Sequence, residues 1–266
     1  MPIKVLTLNL WNRDGPWPER AKLVRAWLER LEPDLIGFQE VLQGPGIDPL
    51  HELLDGRGYH VEYARAGPFW EDASLDFGNA AASRWPIAER EVSALPQGDY
   101  RHPCVALSIT AESPLGPISF TTTHLMYAPY AGWVREQQVR ALAELVLRRR
   151  PKGGFPPVVC GDFNAGPESS EIRFMKGLQS LDGKSCYLLD TWEHAGDGSR
   201  GETMAARNAY CQLPGNLDIR IDYVFVGPAR PGTPGRIESC AVVCDEAENG
   251  VFPSDHFGVY TQLTSS

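Results

Sequence analysis

Apolar runs rich in β-branched residues recur along the whole chain, and they constrain its fold more than any other feature of the sequence. Their length and spacing predict ten strands, with a few amphipathic helices between them. This pattern predicts an α/β fold, a four-layer sandwich of two mixed β-sheets packed face to face with helices outside. The predicted strands are Ile3 to Trp11, Asp34 to Val41, Tyr59 to Ala64, Asn79 to Ser83, Cys104 to Thr110, Ile118 to Leu125, Pro157 to Gly161, Ile221 to Val226, Ser239 to Cys244 and Phe257 to Leu263.

Four helices are predicted between the strands. Apolar side chains recur at 3.6-residue spacing in the longer two, and prolines suit the first turn of the first two. The third ends in the basic run Arg148-Arg149-Arg150, where cations favour the helix C-terminus, so this run needs no nucleic-acid ligand. The predicted helices are Pro18 to Leu31, a short helix opening at Asp48-Pro49, Trp133 to Arg149, and Ser170 to Leu178.

The chain offers no obvious boundary between domains. Its glycine- and proline-rich stretches are too short to be interdomain linkers, so we expect residues 1–266 to form a single domain.

No apolar run approaches the length of a transmembrane helix, and Met1-Pro2-Ile3-Lys4 leads into a strand without the apolar region of a signal peptide. The six cysteines contain no C-x-x-C pair and are expected to be reduced thiols. We therefore predict a cytoplasmic protein with no transmembrane segment.

The net charge bears on the partners. There are 25 Lys and Arg against 34 Asp and Glu, a formal net charge of −9. An acidic chain repels polyanions and lacks the overall basic character of a duplex-DNA binder. Nucleic acid is therefore a possible but disfavoured substrate, and nothing in the sequence indicates a partner protein.

Several strands end in polar side chains, where a rigid scaffold can aim them. Taken singly, Asp162 could cap a loop, His124 could be a core histidine and Glu40 could face water. Asp222 differs because it lies inside an apolar run, where an unpaired carboxylate is costly to bury. The adjacent pair Asp255-His256 supplies the obvious partner, His256. The collected residues are Asn9, Glu40, His124, Asp162, Asn164, Asp222, Asp255 and His256.

The donor types in this set favour a hard cation. Carboxylate and carboxamide oxygens select Mg²⁺ or Mn²⁺ rather than zinc. The chain has no H-E-x-x-H motif, no Walker A loop and no G-x-S-x-G elbow, which excludes zinc proteases, P-loop NTPases and α/β hydrolases of the usual kind. Phosphoryl chemistry is the reaction class that remains.

Taken together, these motifs resemble the endonuclease/exonuclease/phosphatase superfamily, whose members are Mg²⁺-dependent phosphoesterases. The resemblance runs from Leu6 to Gly258 in the expected order, and its most specific pieces are Gly161-Asp162-Phe163-Asn164 and Ser254-Asp255-His256. The stretch from Gly78 to Ile87 is similar to the family's fourth-strand region. The resemblance implies a phosphodiesterase with Mg²⁺ or Mn²⁺ as cofactor and a phosphate ester as substrate.

The resemblance also implies roles for the residues around the cation and the water. Glu40 would be the main metal carboxylate, and Asn9 and Asp255 would adjoin the metal. Asp162 would orient or deprotonate the attacking water. Asn164 would hold a phosphate oxygen.

The remaining roles fall to the histidines and their partner. By the resemblance, His256 is steadied by Asp222, contacts the phosphate and handles a proton. His124 matches a second histidine that binds phosphate or protonates the leaving oxygen. In-line attack on a phosphodiester needs such an acid as well as a held water.

Two departures bear on the branch of the family. Abasic-site endonucleases have an acid where this chain has Trp11, and commonly a tyrosine in place of His124. Both departures, with the stretch from Thr203 to Tyr223, are closer to the sphingomyelinase-like and deoxyribonuclease-like branches. We therefore predict a small-molecule or lipid-derived phosphodiester as substrate, with nuclease activity as the alternative and a non-catalytic phosphate-binding scaffold as a third reading.

Aromatic residues crowd the predicted rim of the site. They would form an apolar wall, a face for a cationic head group or a platform for stacked bases, or they would only pack their own loops. The sequence leaves these alternatives open. The residues are Trp11, Trp17, Phe69, Trp70, Tyr127, Tyr130 and Trp133.

Overall fold

A computed structural model describes residues 1–151, 154–211 and 218–265. Within them the chain forms two six-stranded sheets and five helices. The strands are β1 (Ile3–Asn9), β2 (Leu35–Gln43), β3 (His60–Pro68), β4 (Asp76–Ser83), β5 (Ile87–Leu95), β6 (Cys104–Ser113), β7 (Gly116–His124), β8 (Val158–Asp162), β9 (Leu189–Asp190), β10 (Asp222–Val226), β11 (Ile237–Val243) and β12 (Gly258–Leu263). The helices are α1 (Trp17–Leu31), α2 (Pro49–Leu54), α3 (Gly132–Arg149), α4 (Ser170–Met175) and α5 (Thr191–Ala195).

The two sheets have related orders. The first runs β11-β12-β1-β2-β4-β3, and the second runs β5-β6-β7-β8-β10-β9. Each combines one parallel pair, β1 with β2 and β7 with β8, with antiparallel neighbours. The central strands therefore end at the same edge of their sheets, and this edge carries the polar side chains that the sequence singles out.

The strand β1 shows why the layers pack as they do. Val5 faces the other sheet and joins a core with Leu107, Phe120 and Val158, whereas Leu6 points the opposite way. Side chains alternate between the two faces of a strand, so a strand buried on both faces is almost continuously apolar. This explains the unbroken apolar runs of the sequence.

Helices cover the outer face of each sheet. The helices α1 and α2 pack on the first sheet, and α3 and α4 pack on the second. The predicted four-layer α/β sandwich with two mixed sheets is confirmed. Among the described residues, no helix is long and apolar enough to cross a membrane.

The structure adds two strands and one helix to the predicted set. The added strands are β5 and β9, at the outer edges of the second sheet, and the added helix is α5. Two predicted elements also end at least two residues early. The first strand stops at Asn9 because Trp11 adopts a left-handed backbone conformation, and α4 stops at Met175 before the left-handed Gly177.

Candidate active site

The register of the second sheet places three predicted residues side by side. In the parallel pair β7 and β8, His124 lies opposite Asp162. In the antiparallel pair β8 and β10, Asp222 lies opposite Asp162 on the other side. Asp162 is therefore flanked by both residues through the sheet geometry alone.

The first sheet presents Glu40 through a β-bulge. The pairing of β2 with β4 shifts between Phe38 and Val41, and Glu40 has a φ of 53°. A bulge re-aims a side chain out of the regular alternation of the strand. The sequence predicts Glu40 at the end of its strand, but β2 continues to Gln43, and the bulge rather than the strand end positions the carboxylate.

Asn9 links the two sheets. Its Nδ2 donates to Oε1 of Glu40 and to Oδ2 of Asp162, each at 3.1 Å. Its Oδ1 accepts from the backbone N–H of Trp11 at 2.9 Å, which fixes the orientation of the amide. Asn9 therefore contributes donors that hold two carboxylates together, while its own oxygen is already engaged.

Asn12 is a site residue that the sequence reasoning missed. Its Nδ2 donates to Oε2 of Glu40 at 3.0 Å, and its Oδ1 is buried without a hydrogen-bond partner. The residue has a φ of 46° directly after the left-handed Trp11. Two successive residues in this sparsely populated conformation turn the Asn12 side chain back toward Glu40.

Asp162 is the residue on which the site converges. Its Oδ2 lies 3.4 Å from Nε2 of His124 and 3.8 Å from Nε2 of His256. Its Oδ1 accepts from the backbone N–H of Asn164 at 2.8 Å. The Nδ2 of Asn164 donates to the carbonyl of Leu125, so this side chain is anchored beside the site.

His256 and Asp222 form a buried pair. Nδ1 of His256 lies 2.9 Å from Oδ2 of Asp222, leaving Nε2 to face Asp162. Burial opposes charging of the ring, but the carboxylates of Asp222, Asp255 and Asp162 outweigh it and raise the pKa of His256 well above its ordinary value. Burial also raises the pKa of Asp222, and the facing imidazolium opposes that rise. The pair thus favours a charged ring with Nε2–H as donor.

Asp255 lies on a loop that is tied down from two sides. Ser254 Oγ donates to the backbone oxygen of Asn9 at 2.7 Å, and Asn208 Nδ2 donates to the carbonyl oxygens of Ser254 and Asp255. Burial and the nearby charge of Glu40 raise the pKa of Asp255 to about 7, although His256 acts in the opposite direction. Asn208 was not anticipated from the sequence.

Arg20 holds the remaining loops and was also missed. Its guanidinium is fully buried and donates to the carbonyl oxygens of Leu10, Asp14 and Pro253. It also lies 4.8 Å from the centroid of the Trp11 ring. Arg20 therefore joins the segment after β1 to the loop before β12, and these two segments carry Asn9, Asn12, Asp255 and His256.

The donor set fits a divalent cation near Glu40. Burial and the charge of Glu40 disfavour ionisation of the nearby Asp255 and raise its pKa, and Asn12 offers an unused oxygen to the same region. A hard cation bound between these oxygen atoms would reduce the repulsion between the carboxylates. Within the described chain, one group of three residues, Asp162, Asp222 and His256, also has ligand atoms within 4.8 Å of one another. Its His256–Asp222 contact already occupies donor atoms, which suits proton transfer better than metal binding.

The rim aromatics divide into three groups. Trp17 and Phe69 are buried, so they pack the fold. Trp11, Trp70 and Tyr127 line the cavity beside Glu40 and His124. Tyr130 and Trp133 are exposed but do not line this cavity.

The structure brings the predicted residues to one place. Contacts of less than 4 Å connect Asn9, Glu40, His124, Asp162, Asp222 and His256. Asp255 lines the same cavity as Glu40 and His124, and Asn164 adjoins Asp162. The stretch from Thr203 to Tyr223 lies partly outside the described residues.

The model of the endonuclease/exonuclease/phosphatase family matches residues 6–256 of the chain. Among curated proteins, the chain is 30% identical over 163 residues to carbon catabolite repressor protein 4 homolog 3 of Arabidopsis thaliana, covering 60% of this chain and 35% of that protein. It is 25% identical over 194 residues to protein angel homolog 2 of Mus musculus, covering 69% and 36%. The chain thus spans about a third of the length of these relatives.

Solved structures share the fold. TDP2 of D. rerio, complexed with single strand DNA product, superposes with a TM-score of 0.79 at 18% identity, covering 99% of each chain. The human Nocturnin catalytic domain with bound sulfate anion gives a TM-score of 0.74 at 20% identity, covering 100% of this chain and 94% of that one. At these identities the likeness concerns the fold.

Proposed function

The chain belongs to the endonuclease/exonuclease/phosphatase family, and on that premise we propose that it cleaves phosphodiester bonds by in-line attack of water, aided by a divalent metal ion. As a member of this family it is a phosphoric ester hydrolase. The substrate that we propose is a small-molecule or lipid-derived phosphodiester. The observation that carries the proposal is the convergence of His124 and His256 on the buried carboxylate of Asp162. In this proposal residues 1–266 act as one catalytic domain.

The metal ion would be Mg²⁺ or Mn²⁺, because the available donors are oxygens. Glu40 and Asp255 would hold it, with Asn9 keeping Glu40 in place and Asn12 supplying its free Oδ1. When bound, such an ion neutralises charge on the phosphate oxygens.

The attacking water would lie against Asp162. The carboxylate of Asp162 accepts hydrogen bonds from the side chain of Asn9 and from the backbone N–H of Asn164. These two bonds fix its orientation in the absence of substrate. It takes the proton that the water loses as the new P–O bond forms. Asn164 would hold a phosphate oxygen.

The two histidines would serve the phosphate and the leaving group. His256, kept charged by Asp222, donates Nε2–H to a phosphate oxygen and so stabilises the charge that develops there. His124 gives a proton to the departing alkoxide as the P–O bond breaks. His124 lies opposite Asp162 in the β7–β8 pair. The proposed acid, His124, and the proposed base, Asp162, are therefore within reach of the same phosphate group.

The direct test measures nitrophenol release from bis(4-nitrophenyl) phosphate with Mg²⁺ or Mn²⁺. Asp162→Asn should lower the rate at least ~10²-fold, because it removes the base but keeps the shape of the side chain. The matched control is Asp182→Asn, since Asp182 is exposed and pairs only with Arg140 in the described structure. Equal rates for the wild type and Asp162→Asn would refute the proposal.

A nuclease is the second candidate, and the fold shared with the TDP2 complex with single strand DNA product favours it. The test is cleavage of a fluorescent single-stranded oligonucleotide at increasing salt. Phosphate-driven binding weakens steeply as salt rises. Cleavage that exceeds that of small diesters and falls steeply with salt would favour the nuclease over the first candidate.

Two finer features stay predictions. A cytoplasmic location is the first of them. Kinship with the sphingomyelinase-like branch follows from Trp11 and His124, and a choline-containing substrate in the experiments below addresses it.

A further inference from the structure

A cavity of about 510 Å³ opens beside the predicted catalytic residues. Glu40, His124 and Asp255 form its polar end. The volume lies within the range of ~300–1,000 Å³ that is common for small-molecule sites. The proposed chemistry uses only the polar end, so the rest of the cavity is available to the organic part of the ester.

Three rings form a continuous aromatic wall on one side of this cavity: Trp70, His102 and Tyr127. The ring of His102 lies 5.8 Å from that of Trp70 and 5.2 Å from that of Tyr127, edge to face in both cases. Trp70 and Tyr127 nevertheless remain 56% exposed. Large exposed rings beside a cavity are typical of a ligand surface, and flat rings stack on them.

Asn79 adds a specific hydrogen-bond acceptor to the same cavity. This residue of β4 is 2% exposed and lines the cavity. Its Nδ2 donates to the carbonyl of Val105 at 2.9 Å, which fixes the amide orientation, and its Oδ1 has no partner. Buried acceptors are nearly always paired, so an unpaired one indicates a missing donor.

The charges around the cavity restrict the ligand further. In the described part of the chain, no Lys or Arg lines it, whereas Asp14, Glu40 and Asp255 do. A second phosphate or a polyanionic backbone would therefore lack a cationic partner. A quaternary ammonium would suit the rings and carboxylates but has no N–H for Asn79.

We propose that this cavity is a subsite for a flat, uncharged heteroaromatic ring that carries an N–H donor, the chemistry of a nucleobase. The ring stacks on the wall of Trp70, His102 and Tyr127, and its N–H donates to Oδ1 of Asn79. One phosphodiester group then reaches the polar end of the cavity. This inference rests on the proposed phosphodiesterase function and narrows its substrate to small nucleoside phosphodiesters.

Three chromogenic esters with the same leaving group test the ring. They are 4-nitrophenyl thymidine 5′-phosphate, bis(4-nitrophenyl) phosphate and 4-nitrophenyl phosphorylcholine, which differ only in the group that is retained. We expect kcat/KM for the thymidine ester to exceed both others at least ~10-fold, the effect of a stacked base. Equal values, or a preference for the choline ester, would overturn the inference.

Substitutions of exposed rings locate the effect. Trp70→Ala and Tyr127→Ala should raise KM for the thymidine ester ~5- to 10-fold and leave the choline ester within ~2-fold, because only the base stacks. The matched control is Tyr187→Ala, since Tyr187 is 61% exposed and lies outside this cavity. An equal change in KM for all three esters would contradict stacking of the base on these rings.

Methylation of the thymine N3 tests the hydrogen bond without altering the protein. In the wild type it should lower kcat/KM ~5- to 10-fold, because the donor is lost and Asn79 stays unpaired. In Asn79→Leu the two esters should be hydrolysed equally, since the acceptor is gone. Equal hydrolysis of both esters by the wild type would refute the role of Asn79 even if the variant does not fold.

Calorimetric binding separates failure of the subsite from failure of the catalyst. Thymidine 5′-phosphate should bind the wild type more tightly than phosphorylcholine or inorganic phosphate does, and Trp70→Ala should remove the difference. If no ester is hydrolysed but this pattern holds, the proposed function fails and the subsite stands. If esters are hydrolysed without the pattern, the subsite fails.

Discussion

Nδ1 of His256 lies 2.9 Å from Oδ2 of Asp222, and both residues are buried. The carboxylate faces a ring that burial alone would keep neutral, so it governs both the charge and the tautomer of the imidazole. While Asp222 is ionised it accepts from Nδ1–H and favours the charged ring, so that His256 presents Nε2–H to a substrate as part of an imidazolium.

Replacing Asp222 by Asn should reduce kcat ~10²- to 10³-fold, as expected for loss of a charged hydrogen-bond donor that stabilises the phosphate in the transition state. The pKa of His256 should fall, because the nearest carboxylate that raises it is gone. NMR titration of the ring in the metal-free protein measures this shift directly. Unchanged turnover with a lowered ring pKa would remove the charged histidine from the mechanism, whereas Asp182→Asn should change neither quantity.

Asn12 should contribute to divalent metal binding through its unpaired Oδ1 and its hydrogen bond to Glu40. Asn12→Ala should weaken Mg²⁺ or Mn²⁺ binding ~10-fold, the scale of losing a group that orients a ligand. Asn12→Asp should strengthen binding by adding a carboxylate. Titration calorimetry of the metal-free protein checks both, with the exposed Asn249→Ala as control. Identical affinities in all four proteins would exclude Asn12 from the metal site.

Arg20→Met should destabilise the protein by roughly 3 kcal/mol, because it leaves buried carbonyl groups of Leu10, Asp14 and Pro253 without a donor. Urea unfolding measures the loss. Arg148→Met is the control, since Arg148 is exposed and pairs with Glu91 at the surface, where such pairs contribute less than about 1 kcal/mol. Similar unfolding free energies for both variants would contradict a structural role for Arg20.

Asp255 should make the metal-free protein less stable as pH rises from about 4 to about 7. Its pKa is about 7 in the folded chain, whereas an unfolded Asp titrates near ~3.9. The folded state retains a proton that the unfolded state releases in this window, so unfolding becomes easier with rising pH. Melting temperatures in EDTA should show the slope, and Asp255→Asn should reduce it. If the melting temperature of Asp255→Asn falls with pH as steeply as that of the wild type, the pH dependence arises from other titratable groups.

The same protein with Mg²⁺ provides the complementary measurement. A bound cation favours the ionised carboxylate and so should flatten the pH dependence of the melting temperature. Wild type and Asp255→Asn should then differ most in the presence of the metal at pH above about 7, because only the wild type gains a ligand by ionisation.

Much of the fold and of the site could be predicted because the central strands are continuous apolar runs that are recognisable in the sequence. Asp162 and Asp222 stand out by ending or interrupting such runs, and the sheet register then brings them together. The strand β5 was missed because the charged run Glu89-Arg90-Glu91 interrupts its apolar residues. Its Arg90 pairs with Glu62, and exposed charges are common on strands near a sheet edge.

The missed site residues share a different cause. Asn12 acts only because two left-handed residues fold its side chain back, and no short-range pattern predicted that turn. Arg20 lies on the buried face of α1 with Trp17 and Val24, whereas arginine side chains are mostly exposed. Its burial depends on carbonyl groups from Leu10 and Pro253, which are far apart in sequence. Long-range partners of this kind are visible only in the folded chain.

The strand β12 lies between β11 and β1, and the residues just before it are Asp255 and His256. Strands that are far apart in the described sequence must therefore pair before Asn9, Asp255 and His256 can lie together. In any folding intermediate that lacks the β1–β12 pair, Asp255 and His256 are not yet held beside Asn9, so the cluster is assembled only when this pair forms.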